Sequence, residues 1–186
     1  VTNALSWCFP EAQSWMFKAC SEEQIEKYIL PMMRGERKDC YAITESGSGS
    51  DVANLESTAK KSGDDYILNG EKWYVTSGNL ADFFWFQAYL PDEKEDALFL
   101  IDKDAEGIEM IDSPLFSHTY AAHHPTYRFT NVKISSRQRV GKPGDGMAFT
   151  HSWFRHERLM IGARSCGAAA RLIEEAQDFS DKRLIN

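Results

Sequence analysis

The chain has 186 residues, of which 42% are hydrophobic and 12% aromatic, and a formal net charge of −7. That is enough apolar material for the core of one ordinary domain or for parts of a larger one. The acidic balance argues against nonspecific nucleic-acid binding, no apolar run is long enough to span a bilayer, and the first thirty residues lack a signal-peptide pattern, so a soluble intracellular protein is expected.

Residues 5–20 read as an aromatic-rich helix, with Pro10 at its start or at a break within it. Ser21-Glu22-Glu23-Gln24 is a helix opening, serine at the N-cap and glutamates in the first turn. Ile25, Tyr28, Ile29 and Met32 then recur at helical spacing, Pro31 ends or kinks the element, and Gly35 closes it. From Cys40 the period changes. Cys40–Thr44 is a strand candidate that stops abruptly in Glu45-Ser46-Gly47-Ser48-Gly49-Ser50-Asp51. Such a loop is either a capped surface turn or a cradle for a polar or anionic group.

Ser62-Gly63-Asp64 signals a hairpin, and Asn69-Gly70 a second one leading into the strand-like run Lys72–Thr76. Phe83–Leu90 is dense in strand formers and must be buried on at least one face. Ala97–Ile101, the stretch from Gly107 to Met110, Tyr127–Phe129 and Val132–Ile134 continue the strand pattern. Gly141–Gly146 reads as a hinge without the Gly-Lys-Ser/Thr ending of a P-loop. Residues 147–182 read as one or two helices, with small residues from Gly162 to Ala170 suited to close helix packing.

Charge is uneven: Glu45 to Asp112 holds sixteen acids and five bases, Ser113 to Asn186 six acids and eleven bases. The basic half is either ordinary solvated surface or help in holding an anionic ligand. The four cysteines lie far apart with no CxxC pair, and the His123-His124 pair has no second ligand cluster, so no metal site is expected.

Five stretches carry a resemblance. Tyr41-Ala-Ile-Thr-Glu-Ser-Gly-Ser-Gly-Ser-Asp51 resembles the first signature of the acyl-CoA dehydrogenase family. Asn69-Gly-Glu-Lys-Trp-Tyr-Val-Thr-Ser-Gly78 resembles that family's second flavin-contacting strand. The helix from Ser21 to Pro31, the strand Phe129–Lys133 and the helix start Glu157-Arg158-Leu159 resemble its further landmarks, in the same order.

The resemblance implies an α+β fold: a middle antiparallel β-barrel (38–146) between the end of an N-terminal helical domain (1–37) and the start of a C-terminal helical domain (147–186), truncated at both ends. It implies FAD as cofactor, α,β-dehydrogenation of an acyl-CoA to the trans-2-enoyl-CoA in fatty acid β-oxidation, and an electron-transferring flavoprotein as partner. It further implies a homo-oligomer, dimer or tetramer, without nucleic acid or membrane, in the cytoplasm or, in a eukaryote, the mitochondrial matrix. An acyl-CoA oxidase or nitroalkane-oxidase-like enzyme, or a cofactor-free scaffold, are the competing expectations.

Carried over by residue, Tyr41, Ile43, Thr44, Tyr74, Val75 and Thr76 would lie along the flavin, with Gly49 and Ser50 where the loop meets FAD phosphate and the CoA arm. Ser50, His124 and Arg158 would contact substrate. Three departures stand out. Tyr74, preceded by Trp73, replaces the usual tryptophan. The substrate loop reads Ala121-Ala-His-His-Pro-Thr126, so His123 or His124 takes the place of the usual hydroxyl residue. The catalytic base is either Glu157 or a carboxylate outside this chain.

Overall fold

The computed structural model describes residues 12–184. The chain divides into two compact units, one running to Phe149 and one beginning at Thr150. The helix expected at 5–20 is described only as α1 (Ser14–Ala19); its earlier residues, Pro10 included, lie outside the described residues.

Ser21 caps α2 (Glu22–Gln24) as its sequence suggests: the Gln24 N–H donates to Ser21 Oγ at 3.2 Å and the Ser21 N–H to Gln24 Oε1 at 3.0 Å. A π turn (Ile25–Ile29) and α3 (Leu30–Met33) follow. Pro31 does not end the helix. It sits in the first turn of α3, just after the π turn whose wider register closes with the Leu30 N–H on Ile25 O. Gly35 then stops the chain at φ 72°, the left-handed conformation glycine adopts without strain.

Eight strands follow: β1 (Asp39–Ala42), β2 (Thr58–Ser62), β3 (Asp65–Lys72), β4 (Phe83–Leu90), β5 (Glu95–Asp102), β6 (Ile108–Asp112), β7 (Thr126–Ser135) and β8 (Arg139–Val140). They form one sheet in the order β6-β7-β3-β2-β4-β5-β8, with β1 beside β4. The α+β architecture matches expectation, but the sheet is mixed and not closed, instead of a closed antiparallel barrel. The parallel pairs are β1 with β4 and β2 with β4; one edge of β4 is shared, β1 along Phe83–Phe86 and β2 at Tyr89.

β4 explains its own apolarity. Phe84, Phe86, Ala88 and Leu90 enter one core with Ala97, Phe99 and Ile101 of β5 and with Tyr127 and Phe129 of β7. Phe83 and Trp85 point the other way, with Leu98 and Leu100, into a second core filled by Met16, Tyr28, Ile29 and Met32 of the helices. Both faces are therefore buried, which is why the alternation of a half-exposed strand is missing. Polar ties reinforce this layer: Lys27 Nζ and Arg37 Nη2 each reach an Asp102 carboxylate oxygen at 2.7 Å, and Gln24 Nε2 donates to Arg137 O at 2.7 Å and Arg139 O at 2.9 Å.

The hairpin at Gly63-Asp64 forms as expected, with Ser62 opposite Asp65. The one at Asn69-Gly70 does not. Both residues lie inside β3, where the register against β7 shifts between Leu68 and Gly70. Asn69 uses its amide on β7, accepting from the Asn131 N–H at 2.9 Å and donating to Asn131 Oδ1 at 3.2 Å. One β3 residue, Asn69, lies opposite two of β7, Thr130 and Asn131, so the bulge is on β7 with Asn131 at φ 49°. Gly70, at φ 150°, lies so close to Ser57 that a Cβ would come within 2.2 Å of its Oγ. The two strand-like runs at Tyr127–Phe129 and Val132–Ile134 join as one strand, β7, bent at Asn131 (φ 49°).

The second unit is described by itself. It consists of α4 beyond its opening turns, the helix as a whole spanning Gly146–Lys182 without a break. Arg171 and Glu175 pair across one turn at 2.6 Å, and Leu159, Leu172, Ile173 and Phe179 stand exposed.

Candidate functional site

The two motifs that carried the resemblance lie side by side. After Ala42, β1 gives way to an irregular strand end, and the tight turn at Ser46-Gly47 is closed by reciprocal bonds between Glu45 and Ser48, 2.9 and 3.1 Å. Ser48 Oγ donates to Asp51 O at 2.7 Å, which leaves Gly49 and Ser50 exposed at the outer bend. The Trp73 N–H donates to Thr44 O at 2.8 Å, so Thr44 and the segment after β3 are directly joined.

Beneath this junction is a buried ion pair. Lys72 Nζ lies 2.6 Å from Glu45 Oε1, with side-chain exposures of 0% and 3%, and donates to Ile43 O at 3.1 Å. Glu45 also accepts from the Glu56 N–H (2.5 Å) and the Ser57 N–H (3.1 Å). One carboxylate thus gathers the signature loop, the return segment at 56–57 and the end of β3. Burial pushes the Lys72 ammonium down to about 8, and the Glu45 charge opposes that fall. Burial acts to raise the Glu45 carboxyl, but Lys72 and the hydrogen bonds outweigh it and hold it below its ordinary value. Neither residue was singled out from the sequence. The available signal was parity: Lys72 continues the inward-facing positions of Tyr66 and Leu68, and an inward lysine requires a counter-charge.

The expected flavin strand at 72–76 is not a strand beyond Lys72. Tyr74 has φ 51° and Ser77 φ 63°, and the segment is held by His123 and Pro125 instead of a ladder. The Val75 N–H donates to Pro125 O (2.9 Å), the Ser77 N–H to His123 O (2.8 Å) and the His123 N–H to Asn79 Oδ1 (2.8 Å). This conformation turns the Tyr74 ring outward, 52% exposed, with the Phe116 ring 6.2 Å away, while Val75 is fully buried. Thr76 Oγ1 lies 3.0 Å from His124 Nδ1, and His124 Nε2 lies 2.9 Å from His118 Nε2. His123 is held by Ser113 Oγ at 2.9 Å. Burial lowers the His124 imidazole from its ordinary value, and His118 and His123 lower it further.

The structure therefore brings together Thr44, Tyr74, Thr76 and His124, by direct bonds or along one short segment. Tyr41 is set apart from them. Tyr41 turns to the helical side of the sheet, its ring stacked on Trp85 at 6.4 Å, and packs against the second core. Ile43 and Val75 bury their side chains, so what they offer a ligand is backbone. Glu157 and Arg158 belong to the second unit, where the Arg158 guanidinium lies 5.5 Å from the Phe154 ring. Among the described residues no group of three or more His, Cys, Asp or Glu side chains could hold a metal ion, and no helix is long and apolar enough to cross a membrane.

A mixed sheet backed by helices, with two glycine- and hydroxyl-bearing segments joined at one edge, defines the class of protein. The model of the acyl-CoA dehydrogenase middle domain matches residues 40–132, half of the chain. The chain belongs to the acyl-CoA dehydrogenase family. It is 30% identical over 167 residues to an acyl-CoA dehydrogenase of Bacillus subtilis (strain 168), covering 88% of this chain and 44% of that protein. A probable acyl-CoA dehydrogenase from Mycobacterium abscessus superposes with a TM-score of 0.89 at 27% identity, covering 99% of this chain and 50% of that one. The prolyl acyl carrier protein oxidase AnaB does so with a TM-score of 0.85 at 33% identity, covering 98% and 48%. The chain spans about half the length of the relatives it matches.

Proposed function

We propose that this chain is the flavin-facing portion of an FAD-dependent acyl-CoA dehydrogenase that converts an acyl-CoA thioester to the trans-2-enoyl-CoA and passes electrons to an electron-transferring flavoprotein. The observation that carries the reading is the junction of the two motifs, Trp73 N–H on Thr44 O at 2.8 Å above the buried Lys72–Glu45 pair. It sets Thr44 and Thr76 on adjoining segments whose main chain has left the sheet ladder. The residues fit a flat, polar ring system: half-buried hydroxyls at Thr44 and Thr76, the exposed Tyr74 ring held in a left-handed backbone, and an exposed glycine-serine bend at Gly49-Ser50.

FAD, when bound, supplies the acceptor for the hydride that leaves the substrate β-carbon. The chain's own part is orientation and proton chemistry. Thr44 and Thr76 would hydrogen-bond the ring, with Tyr74 and the backbone of Ile43 and Val75 beside it, while Tyr41 would support the strand from behind. Gly49 and Ser50 meet phosphate and the CoA arm, and His124 and Arg158 contact substrate. Glu157 is the proposed base, taking the α-proton on a carboxylate oxygen; desolvation beside an acyl chain would raise its pKa toward the working range. The oxidase reading is favoured by one observation, the 33% identity to AnaB, and differs in passing electrons to oxygen.

The test uses full-length protein. Bound FAD in the absorption spectrum, bleached anaerobically by members of a panel of acyl-CoAs, is expected; a protein that never carries flavin, or is bleached by none, overturns the reading. Rapid recolouring in air selects the oxidase. Glu157→Gln should retain the flavin and lose bleaching, and unchanged bleaching would assign the base to a carboxylate outside this chain.

A further inference from the structure

Resting on the proposed placement of Thr76 against the flavin, we infer that Thr76, His124 and His118 form a proton conduit between that site and solvent. The three groups are in series: Thr76 Oγ1 to His124 Nδ1 at 3.0 Å, His124 Nε2 to His118 Nε2 at 2.9 Å. Exposure rises along the series, Thr76 and His124 half-buried and His118 exposed. Both contacts are within proton-transfer distance, and His124 uses one ring nitrogen on each side, as a relay requires.

The surroundings favour transfer over a fixed charge. Burial acts most strongly against a charge on His124, and His118 and His123, both imidazoles, act the same way. His123 stays out of the series, its Nδ1 held by Ser113 Oγ at 2.9 Å. The two Nε2 atoms, 2.9 Å apart, share one proton between them. With His124 carrying its proton on Nδ1, that shared proton belongs to His118.

The transfer balances without any co-reactant. A hydronium gives its proton to His118 Nδ1 and becomes water. The His118 Nε2–H bond breaks as His124 Nε2–H forms, then His124 Nδ1–H breaks as a proton joins Thr76 Oγ1. The hydroxyl's original proton leaves toward the bound group. One proton enters and one leaves; both rings end as the other tautomer and are reset by rotation and exchange with water. The loop that carries these histidines is fastened for the task, by Asn79 to Ala121 O (3.0 Å) and to the His123 N–H (2.8 Å).

A structural clip would use the same bonds, so the test must separate holding from conducting. Flavin bound to full-length protein is photoreduced by a sacrificial electron donor in weakly buffered solution, and proton uptake is followed with a pH-indicator dye against a donor-only control. His118→Gln and His124→Gln keep hydrogen-bonding groups in place but carry no proton; each is expected to slow uptake at least tenfold without changing flavin occupancy. Free imidazole added to the His118→Gln protein should restore the rate, because the lost ring stood at the surface. An unchanged uptake rate in His118→Gln, or a slowed rate that imidazole does not lift, overturns the conduit. Absence of flavin from the wild-type protein overturns the proposed function instead, so the two failures are distinguishable.

Discussion

The Glu45–Lys72 pair gives an ordering that can be worked from its contacts. In Lys72→Met the carboxylate stays buried but keeps the Glu56 and Ser57 N–H donors at 2.5 and 3.1 Å. Breaking a buried pair costs about 3–5 kcal/mol, and those two donors place this variant at the low end, about 3 kcal/mol. In Glu45→Ala three groups lose their partner: the Lys72 ammonium, which keeps Ile43 O at 3.1 Å, and both backbone N–H groups. The Ser57 N–H is buried, and an orphaned buried donor costs about 1–3 kcal/mol, while the partly buried Glu56 N–H can turn to water. The lysine limits the damage by releasing its proton, since burial already pushes it down to about 8 and the opposing carboxylate is gone. Neutralising a lysine with an ordinary pKa of 10.5 at pH 7 costs about 5 kcal/mol, which caps that share. Glu45→Ala should therefore be the more destabilising by about 2 kcal/mol. Urea unfolding followed by tryptophan fluorescence, Trp85 being fully buried, measures both. Equal losses, or either loss below about 1 kcal/mol, would refute the claim that Glu45 gathers three segments.

Glu45 and Asp102 both titrate below their ordinary values of 4.5 and 3.8: burial acts to raise each, and it is outweighed by Lys72 with hydrogen bonds in one case and by Lys27 and Arg37 in the other. As pH falls the unfolded chain takes up these protons first, so their stabilisation is whole above the ordinary values and is lost as pH drops through the lowered ones; Asp102→Asn should flatten that acid limb in a denaturation series from pH 6 to 2. Gly70→Ala should destabilise by more than about 2 kcal/mol in the same urea assay, because the added methyl would sit 2.2 Å from Ser57 Oγ and 2.7 Å from its Cα at a φ of 150°.

What could be read from the sequence divides by the range of the interaction that decides it. Ser21 with Gln24, and Gly63-Asp64 between two strands, are settled within four residues, and both form as read. Asn69-Gly70 carries an equally strong local signal, but Asn69 is captured by Asn131, 62 residues away, and the dipeptide stays inside β3 opposite a bulge of β7. The strand-like run after Lys72 was misread for the same reason. Its donors go to Thr44, Pro125 and His123, partners that no window along the chain contains. The open, mixed sheet is likewise a matter of which strands meet, since β1 and β2 both reach the same edge of β4.

The candidate site shows the same division with a functional consequence. Thr44, Tyr74 and Thr76 were picked out because a motif records residue types, and the fold sets them on adjoining segments. The support beneath them was not, because charged residues in polar stretches ordinarily read as solvated. Lys72 and Glu45 reverse that reading: each sits in one of the two motifs, and their pairing is the contact that makes two separate signatures one surface. His124 extends the argument. Its sequence neighbours mark it as a departure from the family pattern, but only the fold reveals that the departure lands on Thr76 at 3.0 Å, with a second histidine behind it. The 118–124 loop therefore shares its hydrogen bonds with a motif residue on the other segment. The loop and the motif must be treated as one chemical unit, and changing His124 should alter the hydrogen-bonding of Thr76.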